Sequence, residues 1–367
     1  MISKTIFPSR YVQGPHALSR LSDELLDFGS VGMAVMTASC HERIKDELIF
    51  DQRVFRLHVE TFDGECSDEE INRLVSVAKN HKANFIVAIG GGKAIDTGKI
   101  VASRMSVPVA VVPTIASTDA PTSACAVVYD EKGAVLRVEY QKSNPQLVLV
   151  DSEIIARAPR RFLVSGMGDA LSTFFEAEQC RKSQSKNEVG EHGSMTAYAL
   201  ARLCYDTLLR DGLKALEACE KRRVTPSLEH VIEANTLLSG IGFESGGIAT
   251  AHAIHNGLTS LAQTHAFYHG EKVAFGVLAS LFLHDETKHY IDEVYSFCES
   301  VGLPTTLADI GLRDISQDEL LVVANRACRV GESIHHEIRT MTPDLVCEII
   351  LLADQEGRKR KNLLNQR

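Results

Sequence analysis

The chain has 367 residues, 44% of them hydrophobic and 24% charged, which is the balance of a globular protein and excludes a disordered one. That length favours two domains over one core. A net charge of −9 argues against nucleic-acid and anionic-membrane partners, and the short basic run at 357–362 reads as a solvated helix end or tail.

In chain order, short apolar runs at 32–37, 54–60, 84–89, 108–113 and 147–151 read as strands, by their length and β-branched content. Between the second and third, S-D-E-E at 67–70 has the form of a capping box before a helical I-N-R-L-V-S-V-A-K-N. Strands separated by helices predict a parallel sheet covered on both faces. After about residue 155 the strand signal stops. Amphipathic stretches at 194–217, 227–238 and 320–338 predict an all-helical second half. The expected fold is therefore an α/β N-terminal domain, 1–157, followed by an all-α domain, 158–367.

No stretch approaches the roughly 18 apolar residues that cross a bilayer. The first residues, M-I-S-K-T-I-F-P-S-R, lack a secretory h-region and cleavage site, so a soluble cytoplasmic protein is expected. Nine cysteines are scattered, odd in number and never spaced as CxxC. They suit a reduced compartment and small core positions; a nucleophilic cysteine is the alternative.

Two loops carry the chemistry of the first half. In A-I-G-G-G-K-A-I-D-T-G-K, Gly90, Gly91 and Gly92 join a strand to a helix, where backbone N–H groups and the helix dipole favour a phosphate. The motif is neither G-x-G-x-x-G nor a P-loop, and a plain structural turn is the competing reading. Downstream, V-P-T-I-A-S-T-D-A-P-T-S gathers Thr114, Ser117, Thr118, Thr122, Ser123 and Asp119 after the next strand. Ligands of open α/β sheets bind beyond the carboxyl ends of strands, where both loops belong. Hydroxyls that merely cap a turn-rich loop are the plainer reading.

The second half carries His252, His255, His265 and His269 in H-A-I-H-N-G-L-T-S-L-A-Q-T-H-A-F-Y-H-G-E-K, and Asp169 in G-M-G-D-A-L. Two imidazoles and a carboxylate could fill three corners of a catalytic zinc site with the fourth open, if the fold brings them together. Each histidine taken alone is more often a core or surface residue, and Asp169 alone could be a helix cap.

Taken together, F-P-S-R-Y-V-Q-G, F-D-G-E-C-S, G-G-G-K-A-I-D-T, P-T-I-A-S-T-D-A-P, G-D-A-L, V-I-E-A-N, G-F-E-S-G-G, H-A-I-H-N-G-L-T and Y-H-G-E-K-V-A-F-G cover the chain nearly end to end. In them it resembles the glycerol dehydrogenases of the iron-containing-type (group III) alcohol dehydrogenase superfamily. The resemblance implies a Rossmann-like domain and a helical domain, of dehydroquinate synthase-like fold, with the active site in the cleft. It implies one Zn²⁺ per subunit on Asp169, His252 and His269, in place of iron, because Thr173 stands where related iron enzymes have a further histidine. It implies NAD contacts at Gly90, Gly91, Gly92, Lys93, Ala94, Ile95, Asp96, Thr114, Ile115, Ala116, Ser117, Ser123, Cys125 and Tyr129. Asp119 matches the carboxylate that meets the substrate hydroxyl, the substrate being a small polyol, and the family forms homo-oligomers, often octamers.

One departure concerns the cofactor. Thr37 aligns where relatives commonly carry an aspartate that binds the adenosine ribose and repels a 2′-phosphate. NAD remains the expectation, since no arginine stands nearby to hold that phosphate. A dehydroquinate-synthase-like lyase using NAD and zinc would need several basic residues in the cleft, and the motifs offer little beyond Lys272.

Overall fold

The computed structural model describes residues 2–48, 55–130 and 135–365. Its contacts form two compact units, Ile6–Phe162 with Glu217–Gly240, and Met1–Thr5 with Leu163–Leu216 and Ile241–Arg367. The division is thus interleaved along the chain, not a single cut near residue 157.

The first unit alternates strands and helices: β1 (Tyr11–Gly14), α1 (Leu21–Glu24), β2 (Val31–Met36), α2 (Ala38–Ile44), β3 (Arg56–Thr61), α3 (Asp68–Asn80), β4 (Phe85–Gly90), α4 (Gly92–Met105) and β5 (Val109–Pro113). The hairpin β6 (Cys125–Tyr129) and β7 (Val135–Tyr140) follows, then β8 (Leu147–Asp151) and α5 (Ser152–Arg157). Six strands pair in the order β1-β8-β5-β4-β2-β3, every neighbouring pair parallel. Strands β4, β5 and β8 are buried along their whole length, as continuous apolar runs in a sheet covered on both faces must be. Leu25, Phe85, Val87, Ile89, Val112 and Leu149 stand in the core on one side of the sheet. From β2 the chain moves outward to β3, and from β4 it moves the other way to β5. The carboxyl ends of β2 and β4 therefore flank the switch point where such sheets bind ligands.

Four of the expected strands match β2, β4, β5 and β8 within a residue or so, and the fifth matches β3 with its start, Val54, lying outside the described residues. The edge strand β1 and the β6–β7 hairpin have no counterpart in the sequence reading. The S-D-E-E box is half made. Ser67 accepts the Glu70 N–H at 3.3 Å, but the Glu70 carboxylate turns to the Asp63 N–H and to Arg73.

Helices α6 (Arg160–Ser183) and α7 (Met195–Glu220) come next, followed by α8 (Pro226–Glu233), which runs through a π-helical turn, Ala234–Leu238, into α9 (Ser239–Gly246). The remaining helices are α10 (Thr250–Leu258), α11 (His269–Ser280), α12 (Ile291–Val301), α13 (Gln317–Ala327) and α14 (Pro343–Asn365). Among the described residues no strand follows β8, as expected. The stretch 320–338 is not one helix: α13 ends at Ala327, and Ser333–His336 forms a separate 3₁₀ turn. No helix of the described residues is long and apolar enough to cross a membrane.

Candidate metal centre and nucleotide cradle

The metal candidates lie on three helices of the second unit. Asp169 is in the third turn of α6, His252 is the third residue of α10, and His269 opens α11. Glycines beside two of them permit the approach. A Cβ on Gly168 would stand 2.3 Å from the Gly270 carbonyl oxygen, and one on Gly270 would stand 1.8 Å from that of Ser165. With only hydrogens there, α6 and the start of α11 meet backbone to backbone. Asp169 Oδ1 then lies 3.0 Å from His269 Nε2 and 3.6 Å from His252 Nε2.

One donor atom from each of the three residues lies within 4.8 Å of the others. This is the only such His/Cys/Asp/Glu group among the described residues. One oxygen and two imidazole nitrogens suit zinc, and both histidines present Nε2 while Nδ1 is engaged elsewhere. His252 Nδ1 is 2.5 Å from Glu176 Oε2. His269 Nδ1 is 3.0 Å from His255 Nε2, whose own Nδ1 faces the Asn256 side-chain oxygen at 3.1 Å. His255 thus stands behind a candidate ligand. His265 is turned to the Thr259 carbonyl, and Thr173 is buried beside Gly242.

The electrostatics follow from burial and charge. Burial alone would raise the Asp169 pKa, yet the His269 and His252 imidazoles hold it well below the usual carboxylate range. Burial opposes charge on His252, but the Glu176 and Asp169 carboxylates outweigh it and raise its pKa well above the ordinary value. Burial, reinforced by His269 and Lys272, drives His255 well below its own. Lys272 is buried in α11 near the Thr264 carbonyl, and desolvation lowers it to about 8.

In the first unit, the two predicted loops leave adjacent strand ends. Gly90 pairs with Pro113 in the ladder, and the Thr114 N–H donates to the Gly90 carbonyl at 3.0 Å. Gly90 has φ of +147°, a conformation that excludes most side chains. Gly91 then opens α4 with no side chain capping its first turn, which leaves the helix start fit for an anion. Thr37 directly follows β2 and caps α2 by accepting the Cys40 N–H at 3.2 Å.

The other predicted cofactor positions divide by what their side chains already do. Lys93 reaches Glu65 at 2.6 Å and lies over the Tyr129 ring. Ala94 and Ile95 are buried. The Asp96 carboxylate accepts the Val127 N–H at 2.9 Å and pairs with the fully buried Lys99, whose ammonium also donates to the carbonyls of Ala120, Ser123 and Cys125. The Ala116 carbonyl accepts from Asn235, and Ser123 Oγ is 3.4 Å from Cys125 Sγ. Asp119 Oδ2 accepts the Ser239 hydroxyl at 2.7 Å. Asn235, Ser239, Lys99 and Glu176 all escape the sequence reading, because each acts through a contact distant in the chain.

None of the nine cysteines forms a disulfide. Burial raises the thiol pKa of several, Cys180 and Cys298 among them, with Cys66 pushed up to about 12, which opposes a nucleophilic role.

A parallel nucleotide-type sheet with a following helical unit is the fold of the iron-containing alcohol dehydrogenases, and residues 8–152 match the model of that family. The chain is 54% identical to the glycerol dehydrogenase of Thermotoga maritima over 364 residues, covering 99% of this chain and 100% of that one. The solved structure of a probable glycerol dehydrogenase from Sinorhizobium meliloti superposes with a TM-score of 0.93 at 41% identity, covering 98% and 100% of the two chains. That of the Schizosaccharomyces pombe glycerol dehydrogenase gives 0.94 at 34% identity, covering 99% and 93%. The chain belongs to the glycerol dehydrogenase family, a family of oxidoreductases.

Proposed function

We propose that this chain transfers a hydride from the carbinol carbon of glycerol or a related small vicinal diol to NAD, with release of the hydroxyl proton, giving dihydroxyacetone or the matching hydroxyketone. The observation that carries the reading is the convergence of Asp169, His252 and His269 in a member of this family. These three residues hold the metal, which we assign as zinc. Zinc there supplies Lewis acidity that lowers the pKa of a substrate hydroxyl. NAD supplies the hydride acceptor.

The chain's own residues bind and orient. The Gly90–Gly91–Gly92 turn and the first N–H groups of α4 receive the pyrophosphate, and the loop Thr114–Ile115–Ala116–Ser117 adds further contacts. Asp119, held by Ser239, accepts a hydrogen bond from a second substrate hydroxyl and so favours diols over simple alcohols. The lyase alternative gains nothing from Lys272, which is buried beside the Thr264 carbonyl. We further propose a cytoplasmic homo-oligomer, an octamer by kinship.

The test is NAD reduction with a panel of glycerol, 1,2-propanediol and simple alcohols, with and without a chelator, repeated with NADP. Glycerol-dependent NADH formation that the chelator abolishes and zinc restores is expected. Activity indifferent to the chelator, or stoichiometric zinc in a His269→Ala variant, overturns the metal assignment.

A further inference from the structure

Helix α10 carries His252 yet begins without a cap of its own. Its N-cap residue is Ala249, whose side chain offers no acceptor for the open N–H groups of the first turn. Glu176, from α6, supplies one instead. Its Oε1 accepts the backbone N–H of Ala249 at 2.8 Å and that of His252 at 3.0 Å. Its Oε2 lies 2.5 Å from His252 Nδ1. The side chain is almost wholly buried. Asp169 and Glu176 are seven residues apart on one helix, which at 3.6 residues per turn puts them on the same face.

We infer that Glu176 is a positioning residue for the metal site, locking both the backbone and the ring of His252 while Asp169, two turns earlier, faces the same ring from its other nitrogen. The inference rests on the metal reading given above. A carboxylate has only acceptors, so both Glu176 oxygens are used in one sense. Oε1 takes two backbone protons, and Oε2 requires the imidazole proton on Nδ1. Nε2, facing Asp169, is then left with its lone pair available to a metal. The carboxylate's charge also complements the positive end of α10.

The Glu176→Gln variant separates capping from ring orientation. The glutamine oxygen can still accept both backbone N–H groups, so the cap survives. Its NH₂ must then face Nδ1, and because it only donates, the imidazole proton moves to Nε2, where it blocks ligation. The experiment measures Zn²⁺ affinity of the full chain by chelator competition, with the Tm of the metal-free protein, for wild type, Glu176→Gln and Glu176→Ala. We expect Glu176→Gln to keep the wild-type Tm and lose roughly 10- to 100-fold in zinc affinity. Glu176→Ala should lose both.

Wild-type zinc affinity in Glu176→Gln overturns the inference and leaves Glu176 as a helix cap alone. So does a Glu176→Gln Tm as low as that of Glu176→Ala, since the zinc loss then reports general disruption. As an independent check, histidine ¹⁵N shifts of the zinc-loaded wild type should place the His252 proton on Nδ1, and a proton on Nε2 refutes the mechanism. If the wild type itself binds no zinc, the triad reading fails and takes this inference with it. Zinc binding in wild type equalled by Glu176→Gln fails the inference alone.

Discussion

Gly168 and Gly270 oppose each other across the contact of α6 with α11, and the space between them is too small for a single added carbon on either side. Each precedes or follows a candidate metal ligand in sequence. A Gly270→Ala substitution would place its Cβ 1.8 Å from the Ser165 carbonyl oxygen, a backbone atom that cannot swing aside. The helices must separate, at a cost of about 1–3 kcal/mol or more. We expect a lowered Tm together with reduced zinc content. A variant with unchanged Tm and full zinc loading would show that the close approach is not needed.

Asp119 is expected to govern selectivity more than turnover in general. Replacing it with alanine should cut kcat/KM for glycerol at least tenfold more than for a simple alcohol, equivalent to about 1.4 kcal/mol. The hydrogen bond that Ser239 donates to Oδ2 is lost in the same variant. Equal losses on glycerol and on the mono-ol would argue against recognition of the second hydroxyl.

Thr37 allows a clean test of cofactor choice. It caps α2, and aspartate is an equally good N-cap, so Thr37→Asp adds a charge without removing the cap. We expect the NAD-to-NADP ratio of kcat/KM to rise roughly tenfold or more as the new carboxylate repels a 2′-phosphate. Wild-type efficiency with NADP equal to that with NAD would overturn the NAD assignment. An unchanged ratio in the variant would remove Thr37 from the ribose site.

Lys272 predicts a pH dependence with a definite sign. Burial lowers it to about 8 in the folded chain, from an ordinary value of 10.5. Between those values the unfolded state holds a proton that the folded state has released, so this lysine makes stability rise with pH. Below about 8 both states are charged and the full desolvation cost remains. Lys272→Met should therefore stabilise the protein at pH 7, by on the order of 3 kcal/mol, and the advantage should shrink toward pH 10. Denaturant midpoints for both proteins at the two pH values give the comparison. A gap independent of pH would rule out the linkage.

Local pattern was legible where burial and chemistry coincide along the chain. The run L-V-L-V-D is a strand with the expected bounds because both of its faces are covered, so every position is apolar up to the closing aspartate. The glycine triplet is readable because Gly90 needs a backbone conformation other residues avoid. Strand β1, Y-V-Q-G, was not legible. It is four residues at a sheet edge, half-buried throughout, with no apolar run to mark it. The over-long reading of 320–338 has a similar origin, since apolar spacing continues past Ala327 while the backbone turns away.

The sequence by itself determined the α/β-then-helical order, the glycine turn, and the identities of an aspartate and two histidines able to hold a metal. Residue type and short-range spacing suffice for these. Tertiary structure decided which histidines face Asp169 and which, like His265, turn to a backbone carbonyl. It also decided that Glu176 serves helix α10 across 73 to 76 positions of chain. Such a contact leaves no periodic trace. Its two ends are set by how α6 and α10 pack, and packing depends on every side chain between them.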